Sequence, residues 1–444
     1  MVDNILSPDV LRAFLHRFPE SKNCRLAYSG GLDSHVLLHL MHALQGDIGI
    51  SLTAVHVNHG LQVDAGEWAR HCQRVCDAMN VELLIRQVDA RAPAGMSPEA
   101  YARKCRYDQF KALMQADDLL LTAHHMDDQA ETLLLQLLRG AGPAGLAAMP
   151  ADKTFGPGRH GRPLLDFSRD SIRAYALAHE LDWIEDTSNQ DTGPDRNYIR
   201  HRVMPVLRER WPAATAILSR VASHQSMARE LLEILAAEDY RQVRTEDSHR
   251  LMIEPLLNLD EQRALNCLRY WLDLNQAPIP GSVHLAALYH EVINSREDSE
   301  ACVHWSGVEV RRYRDTLYLL RSQAAYDPES CIAWDIREPC RIPTGTITAT
   351  RVTGRGIRVQ QVPDERLEIR FRRGGEKIRP AGDAHTRDLK KLFQQQGVAP
   401  WLRDRMPLIY RDNLLVAVPG VCVAEGYAAG EQEPGWDVVW QSEA

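Results

Sequence analysis

A six-residue segment, Ser29-Gly30-Gly31-Leu32-Asp33-Ser34, separates a short apolar strand pattern from a helical pattern. Residues 25–29 are typical of a buried strand, and apolar residues at 36, 37, 40, 41 and 44 have the spacing of one helix face. Two adjacent glycines let the backbone turn sharply, and a following helix points its free N–H groups back at the turn. The segment therefore predicts a strand, an anion-binding loop and a helix.

The same alternation continues to about residue 190. The pattern predicts strands at 52–58, 81–88 and 119–123, and helices at 68–79, 98–114 and 127–138. Ser97 can cap the helix that Pro98 begins. Strands separated by helices imply an open parallel sheet with right-handed crossovers. The Gly- and Pro-rich stretch 150–163 is predicted to be a loop.

The remainder of the chain has a different character. Residues 213–295 are predicted to be mainly helical, 301–321 a β-hairpin, and 340–440 short strands with one helix at 386–396. We therefore predict an α/β fold of three domains. These are a Rossmann-like catalytic domain (1–212), a mainly helical domain (213–325) and a small basic α+β domain (340–440).

Composition indicates a cytoplasmic globular protein. The chain lacks an apolar run of membrane-spanning length, and its N-terminus lacks the layout of a signal peptide. Its nine cysteines are scattered without a CxxC pair, so we expect reduced thiols. The net charge of -8 argues against nucleic acid, but residues 366–411 hold twelve Lys/Arg against five Asp/Glu.

The chemistry of the glycine loop is that of phosphate binding. Ser29 and Ser34 can add hydroxyl donors to the backbone N–H groups. Asp33 would repel phosphate, but it fits if it binds Mg²⁺ or orients a nucleophile. The loop matches neither GxxxxGK[ST] nor GxGxxG, which argues against a Walker NTPase or a dinucleotide site. The competing interpretation is an ordinary βα turn.

The hexapeptide resembles the SGGxDS loop of the PP-loop ATP pyrophosphatases, which cleave ATP between the α- and β-phosphates to adenylate a substrate. Further segments resemble the tRNA(Ile)-lysidine synthetase family in order and spacing, over nearly the whole chain. They are residues 55–61, 99–107, 122–132, 139–146, 162–165, 185–189, 197–202, 373–376 and 389–393. That family often has Asn-Arg-Ile-Arg where this chain has Asn197-Tyr198-Ile199-Arg200, which leaves the role of position 198 open.

The resemblance implies a ligase that joins lysine to C2 of the wobble cytidine in a CAU-anticodon tRNA(Ile). An adenylated cytidine is the intermediate, and ATP is converted to AMP and pyrophosphate. The resulting lysidine reads AUA instead of AUG. The implied partners are ATP with Mg²⁺ on Asp33, the tRNA and free L-lysine, and a homodimer is possible.

Several side chains are candidates for this chemistry. Ser29–Ser34 and His56 are expected to bind ATP. Arg103 and Arg106, three residues apart, are expected to act with Asp33 in catalysis by neutralising phosphate charge, and the sequence does not choose between the two arginines. The simpler interpretation of the arginine pair is a solvated basic helix face.

Asp128 and Glu131 share a helix face and are expected to hold the amine of lysine, with Arg200 as a further substrate-binding residue. Favourable charge at a helix N-terminus is the simpler interpretation of the two carboxylates. His56, His59, His124 and His125 lack a metal-ligand spacing and are expected to line the nucleotide pocket or to satisfy loop hydrogen bonds. The basic segment 366–411, with Phe371, Phe393 and Trp401, is interpreted as a surface for the tRNA backbone or as a solvated basic face.

Three rival functions follow from the same sequence. A tRNA thiolase of the same superfamily normally needs a cysteine pair or an iron–sulfur site, and the missing CxxC argues against it. An amidotransferase-type synthetase would need a nucleophilic cysteine after Met1, which is absent. A non-catalytic tRNA-binding protein would not require Asp33, Asp128 and Glu131.

Overall fold

The structure is a computed structural model that describes residues 5–58, 65–93, 95–186, 190–296, 301–321, 326–362 and 366–442. The chain forms two units, Met1–Leu232 and Glu233–Ala444. Two parts of the family-like segments, residues 59–61 and 187–189, lie outside the described residues. His59, one of the four candidate histidines, is among them.

A six-stranded sheet forms the centre of the first unit, in the order β3-β2-β1-β4-β6-β5. All neighbouring strands in it are parallel except β5, which runs antiparallel to β6. The strands are β1 (Asn23–Ala27), β2 (Ser51–Asn58), β3 (Glu82–Gln87), β4 (Leu119–Leu121), β5 (Asp152–Phe155) and β6 (Gly158–Gly161).

Helices connect and flank these strands. The first unit contains α1 (Pro8–Leu15), α2 (Leu32–Ile48), α3 (Ala65–Ala78), α4 (Pro98–Leu113), α5 (Met126–Leu138), α6 (Pro143–Leu146), α7 (Arg169–Ala178), α8 (Asp195–Tyr198), a π-helix (Ile199–Val203) and α9 (Met204–Arg210). The predicted strand–helix alternation is confirmed, with ends shifted by a few residues. Ser97 caps α4, since its hydroxyl accepts a hydrogen bond from the N–H of Ala100.

The central strand β4 shows why the sheet is buried on both faces. All three of its residues are leucines without exposed surface. A parallel strand covered by helices on both sides needs such an apolar run, not an alternating one. Because β1, β2 and β4 are parallel, their carboxyl ends lie at one edge of the sheet. The glycine loop follows β1 there, His56 lies near the end of β2, and α5 begins after β4.

The loop predicted at 150–163 is wrong, because β5 and β6 form a hairpin there that joins the sheet. The glycines that indicated a loop serve close packing instead. A Cβ on Gly158 would collide with the carbonyl oxygen of Asp118, and one on Gly161 would lie 2.8 Å from a ring carbon of Phe14. Glycine inside a strand is a sign of such close approach.

The second unit begins within the long helix α10 (Ala214–Val243) and continues with helices and a four-stranded antiparallel sheet. The helices are α11 (Ile253–Leu257), α12 (Glu261–Leu274), α13 (Ser282–Ala287) and a π-helix (Leu288–Ile293). The sheet, in the order β7-β10-β9-β8, consists of β7 (Arg250–Met252), β8 (Cys302–Trp305), β9 (Val308–Tyr313) and β10 (Thr316–Arg321). The hairpin predicted at 301–321 is thus part of a larger sheet.

Antiparallel strands dominate the C-terminal part of this unit. Two sheets run in the orders β11-β15-β18-β19-β20 and β12-β13-β21-β14, beside a small β16-β17 pair. The strands are β11 (Cys331–Asp335), β12 (Cys340–Ile342), β13 (Gly345–Thr353), β14 (Ile357–Arg358), β15 (Arg366–Arg370), β16 (Lys377–Ile378), β17 (Arg387–Asp388), β18 (Leu408–Arg411), β19 (Leu414–Val418), β20 (Cys422–Val423) and β21 (Pro434–Ser442). The helices are α14 (Leu389–Gln395), α15 (Pro400–Arg403) and a 3₁₀ turn (Val359–Gln361).

The architecture confirms the predicted fold class: a parallel α/β sheet, then a mainly helical region, then a C-terminal region of antiparallel strands. The boundaries of the three domains remain a prediction. No helix in the described parts of the chain has the length and apolarity to cross a membrane. All nine cysteines of the sequence are free thiols.

Candidate active site

The loop Ser29–Ser34 is closed by its own two serines. The Ser29 and Ser34 hydroxyls lie 3.0 Å apart, and the Ser34 hydroxyl donates to the carbonyl of Gly31 at 3.0 Å. The N–H of Gly31 donates to the Ser29 hydroxyl at 3.3 Å. The loop thus links β1 to α2 as predicted, with the start of α2 facing the carboxyl edge of the sheet.

The two glycines of the loop are needed for different reasons. Gly30 has φ +84°, and a Cβ there would lie 2.9 Å from Sγ of Cys72, so the fold itself requires glycine. Gly31 has φ −80°, and its Cβ would meet nothing closer than 3.5 Å, the hydroxyl oxygen of Ser29. The fold would accept alanine at 31, so the glycine there leaves room for a ligand to approach the backbone closely.

His56 lies beside the start of the loop. Its Nδ1 donates to the carbonyl of Tyr28 at 2.9 Å, and Sγ of Cys72 is 3.5 Å from the same nitrogen. Burial lowers the pKa of His56, and the nearby charge of Arg106 lowers it further, although the bond to Tyr28 opposes both. His56 is therefore a neutral imidazole at the carboxyl end of β2, where it was predicted to meet the nucleotide.

Asp33 lies in the first turn of α2 and one of its oxygens is unpaired. Its Oδ1 is buried without a hydrogen-bond partner among the described residues. Its Oδ2 is 3.6 Å from Nε2 of His125, at the N-terminus of α5. A buried carboxylate oxygen without a donor, in the first turn of the helix that follows the glycine loop, fits Mg²⁺, which is commonly held by one or two carboxylates, water and substrate phosphates.

His125 connects the glycine loop to the carboxylates of α5. Its Nε2 is also 3.5 Å from Oδ2 of Asp128, and its Nδ1 is 3.7 Å from Oδ2 of Asp127. Burial opposes a charged imidazole, but Asp128, Asp33 and Asp127 outweigh it and raise the pKa of His125 to about 9. His125 is therefore an imidazolium at neutral pH, a role that the sequence analysis did not assign to it.

The structure brings Asp128, Glu131 and Arg200 together, as the sequence analysis grouped them. Nε of Arg200 lies 2.6 Å from Oε1 of Glu131, and its Nη2 lies 3.1 Å from Oδ1 of Asp128 and 2.9 Å from Oε2 of Glu131. Burial works against the charge of Asp128, but the neighbouring cations, beginning with His125, lower its pKa. A guanidinium thus occupies the place in which an amine was predicted.

Arg196 is a site residue that sequence reasoning missed. Its Nε lies 3.2 Å from Oε2 of Glu131, and its Nη2 donates to the hydroxyl of Thr132 at 2.7 Å and to the carbonyl of Asp128 at 3.3 Å. The available signal was its position four residues before Arg200, which places both arginines on one side of a helix. Between them, Tyr198 is 53% exposed.

Arg103 and Arg106 point to different neighbours on α4. The guanidinium of Arg103 lies over the ring of Tyr107, 4.9 Å from its centroid, and the side chain is exposed. Burial and the charge of Arg103 lower the pKa of Arg106, whose own charge acts on His56. Arg106 is therefore the arginine of this pair that is associated with the ATP-binding candidates.

The basic segment 366–411 is less cationic than its sequence indicates. Several of its arginines form ion pairs, for example Arg372 with Asp404 at 2.7 Å, while Phe371 and Phe393 are core residues. Three exposed lysines, Lys377, Lys390 and Lys391, have no ion pair among the described residues. These three side chains are open to a polyanion, as are the exposed Arg366 and Arg379.

Comparison with known proteins finds relatives over nearly the whole length of the chain. Residues 7–207 match the PP-loop domain, 251–318 the TilS substrate binding domain, and 367–440 the TilS substrate C-terminal domain. The chain is 39% identical over 436 residues to the tRNA(Ile)-lysidine synthase of Coxiella burnetii, covering 98% of this chain and 96% of the relative. It is 43% identical over 419 residues to that of Methylococcus capsulatus, covering 94% of each.

A solved structure is also similar. It is the U34-tRNA thiolase NcsA from Methanococcus maripaludis with its [4Fe-4S] cluster, at 18% identity and a TM-score of 0.42. The similarity covers 49% of this chain and 76% of the thiolase.

Proposed function

Because the chain belongs to the tRNA(Ile)-lysidine synthase family, we propose that it joins lysine to C2 of the wobble cytidine in a tRNA(Ile) with a CAU anticodon. The enzyme is an ATP-dependent ligase of tRNA modification, and it converts ATP to AMP and pyrophosphate. The substrates are ATP, free L-lysine and the tRNA, and the product reads AUA in place of AUG. This reaction needs the cytoplasmic tRNA pool, and it is compatible with a monomer or a homodimer.

One observation supports this proposal more than any other. The imidazole of His125 lies within 3.6 Å of Asp33 and within 3.5 Å of Asp128. The carboxylate of the phosphate loop and the carboxylates of the amine site are therefore one side chain apart. Adenylation of the C2 oxygen, followed by displacement at C2 by an amine, needs this proximity.

In the first step, the C2 oxygen of cytidine attacks the α-phosphorus of ATP, and the bond to the pyrophosphate breaks. The N–H groups and hydroxyls of Ser29–Ser34 hold the phosphates, and Arg106, together with Arg103, neutralises charge on the leaving pyrophosphate. Asp33 would hold Mg²⁺, which supplies additional charge neutralisation when it is bound.

In the second step, the ε-nitrogen of lysine attacks C2, the C2–O bond breaks and AMP leaves. Asp128 and Glu131 bind the ammonium form, which competes with Arg200 for the same oxygens. Carboxylates favour the charged amine, so loss of its proton must be coupled to attack, and Asp33 is the candidate that receives it. Arg196 keeps its ion pair with Glu131 while the ammonium group replaces Arg200 at the carboxylate oxygens.

Pyrophosphate release tests the first step. Protein, ATP and an unmodified tRNA transcript with a CAU anticodon are incubated without lysine, beside a matched transcript with GAU. We expect release with CAU only, and we expect Asp33→Ala to abolish it while tRNA binding persists. Equal release with both transcripts, or wild-type turnover by Asp33→Ala, would contradict the proposal.

A further inference from the structure

A chain of four polar side chains runs from the β5–β6 hairpin to the active-site edge of the sheet. Nη2 of Arg162 is 3.2 Å from Nδ1 of His160. Nε2 of His160 is 2.9 Å from the hydroxyl of Thr122, which is 2.8 Å from Nδ1 of His124. We call these four residues the relay. None of them has a role in the reaction described above.

The donors and acceptors of the relay can have only one efficient arrangement. A guanidinium can only donate, so Nδ1 of His160 accepts from Arg162 and its Nε2 carries the proton. That proton is donated to the hydroxyl oxygen of Thr122. The hydroxyl proton must then go to Nδ1 of His124, because Thr122 is 5% exposed and no other acceptor is within reach among the described residues. His124 is thereby fixed with its proton on Nε2.

The relay also keeps both imidazoles uncharged. Burial lowers the pKa of His160 to about 2, and the charge of Arg162 adds to this effect. Burial lowers the pKa of His124 to about 3, although Asp128 opposes it. A neutral imidazole with a fixed Nε2–H is a directed hydrogen-bond donor that adds no charge to the site.

The free end of the relay lies at the edge of the sheet that carries the loop Ser29–Ser34. β1 and β4 are neighbouring parallel strands, and the loop follows the carboxyl end of β1 as His124 follows the carboxyl end of β4. His124 is partly exposed, and its Nε2 has no partner among the described residues. The donor therefore lies at the same edge of the sheet as the loop that is proposed to hold the phosphates of ATP.

We propose that His124 is a catalytic residue whose Nε2–H donates a hydrogen bond to an α-phosphoryl oxygen during adenylation, and that Thr122, His160 and Arg162 are positioning residues that fix its tautomer. Negative charge grows on the phosphoryl oxygens as the new P–O bond forms, and a preorganised donor stabilises it. The other tautomer would present a lone pair and repel the same oxygen. This inference rests on the proposed adenylation chemistry.

Thr122→Val tests the relay, because valine keeps the volume and removes the hydroxyl. At saturating ATP and CAU transcript, we expect pyrophosphate release to slow by about 10-fold or more, with the KM for ATP nearly unchanged, since only transition-state stabilisation is lost. Thr122→Ser keeps the hydroxyl and should restore the rate. His124→Ala should slow release by about 100-fold, the typical effect of losing one such donor.

A double-mutant cycle separates positioning from general damage. If Thr122 acts through His124, adding Thr122→Val to His124→Ala should slow release no further. An equal loss in both backgrounds, or a wild-type rate for Thr122→Val, would overturn the proposal. No tRNA-dependent release by the wild-type protein would instead refute the adenylation chemistry itself.

The tautomer can be observed directly. In full-length protein labelled with ¹⁵N-histidine, the signals that vanish in His124→Ala belong to His124. We expect a protonated Nε2 and an unprotonated Nδ1 at neutral pH in the wild type. A protonated Nδ1 would overturn the relay as described.

Discussion

Substituting Gly30 by alanine should destabilise the loop Ser29–Ser34 and its packing against the rest of the first unit. Gly30 has φ +84°, and a Cβ would lie 2.9 Å from Sγ of Cys72 and 3.2 Å from Cδ1 of Ile184. Cys72 has no exposed surface, so its thiol cannot move into solvent. The left-handed backbone costs about 1–2 kcal/mol for a residue with a Cβ, and overpacking typically costs about 1–3 kcal/mol more.

We therefore expect Gly30→Ala to reduce the free energy of unfolding by about 2–5 kcal/mol, which is the sum of these two costs. The assay is urea unfolding followed by tryptophan fluorescence. Gly31→Ala is the matched control: its φ is −80° and its Cβ has room, so stability should change by less than about 1 kcal/mol. ATP binding should weaken in both variants, because either methyl group alters the phosphate cradle.

A second substitution separates the two costs. Cys72→Ala in the Gly30→Ala background removes the sulfur and should recover part of the packing cost, but it leaves the backbone cost. If the free energy of unfolding of Gly30→Ala were within about 0.5 kcal/mol of the wild-type value, this would refute the argument. A change that small is usual for exposed positions and not for a closely packed glycine with positive φ.

Three further predictions concern charge. The raised pKa of His125, about 9 against an ordinary 6.5, means that its contribution to stability is complete below pH 6.5 and is lost as pH rises through 9. Urea unfolding from pH 6 to 10 should show this decline, and His125→Asn should flatten it. Arg196→Met removes an ion-pair partner of the buried Glu131, so it should raise the KM for lysine and lower the free energy of unfolding by about 1–3 kcal/mol. Arg202 is exposed, and the control Arg202→Met should change neither quantity. The double substitution Lys390→Ala/Lys391→Ala should reduce the slope of the logarithm of the tRNA-binding constant against the logarithm of the salt concentration, measured in filter assays, by about two phosphate contacts. An unchanged slope would show that these two lysines do not contact the tRNA backbone.

Much of the first unit follows from local sequence patterns. β1, the loop and α2 are specified by an apolar run, two glycines and a helical period within about 25 residues of chain, so they could be predicted together. The cap at Ser97 is equally local, since its hydroxyl bonds to a backbone N–H three residues away. The C-terminal helix was predicted at 386–396 and lies at Leu389–Gln395, because its helical pattern is also local in the sequence.

The β5–β6 hairpin could not be predicted, because its glycines are required by contacts with residues that are distant in the sequence. Gly158 is small to make room for Asp118, and Gly161 is small to make room for Phe14. Read locally, the same glycines indicate a turn. The error had a consequence for the site, since His160 and Arg162 of the relay belong to this hairpin and its end.

The candidate site was predicted in its parts but not in its connections. Asp128 and Glu131 were found as a pair on one helix face, and Arg200 was found by resemblance. The contacts of Arg196 and Arg200 with Glu131 span 65 and 69 residues. Such pairings depend on how α8 and the following π-helix pack on α5, and no local pattern encodes that packing. The roles of the individual site residues remain predictions.

The most direct test of the central claim is the identity of the nucleoside that the enzyme makes. Full-length protein is incubated with ATP, isotope-labelled lysine and an unmodified CAU tRNA(Ile), and the digested tRNA is analysed by mass spectrometry. We predict a cytidine that has gained lysine with loss of water, at the wobble position only, and one AMP per modified tRNA. ATP cleavage that leaves the wobble cytidine unchanged in the presence of lysine would contradict the account.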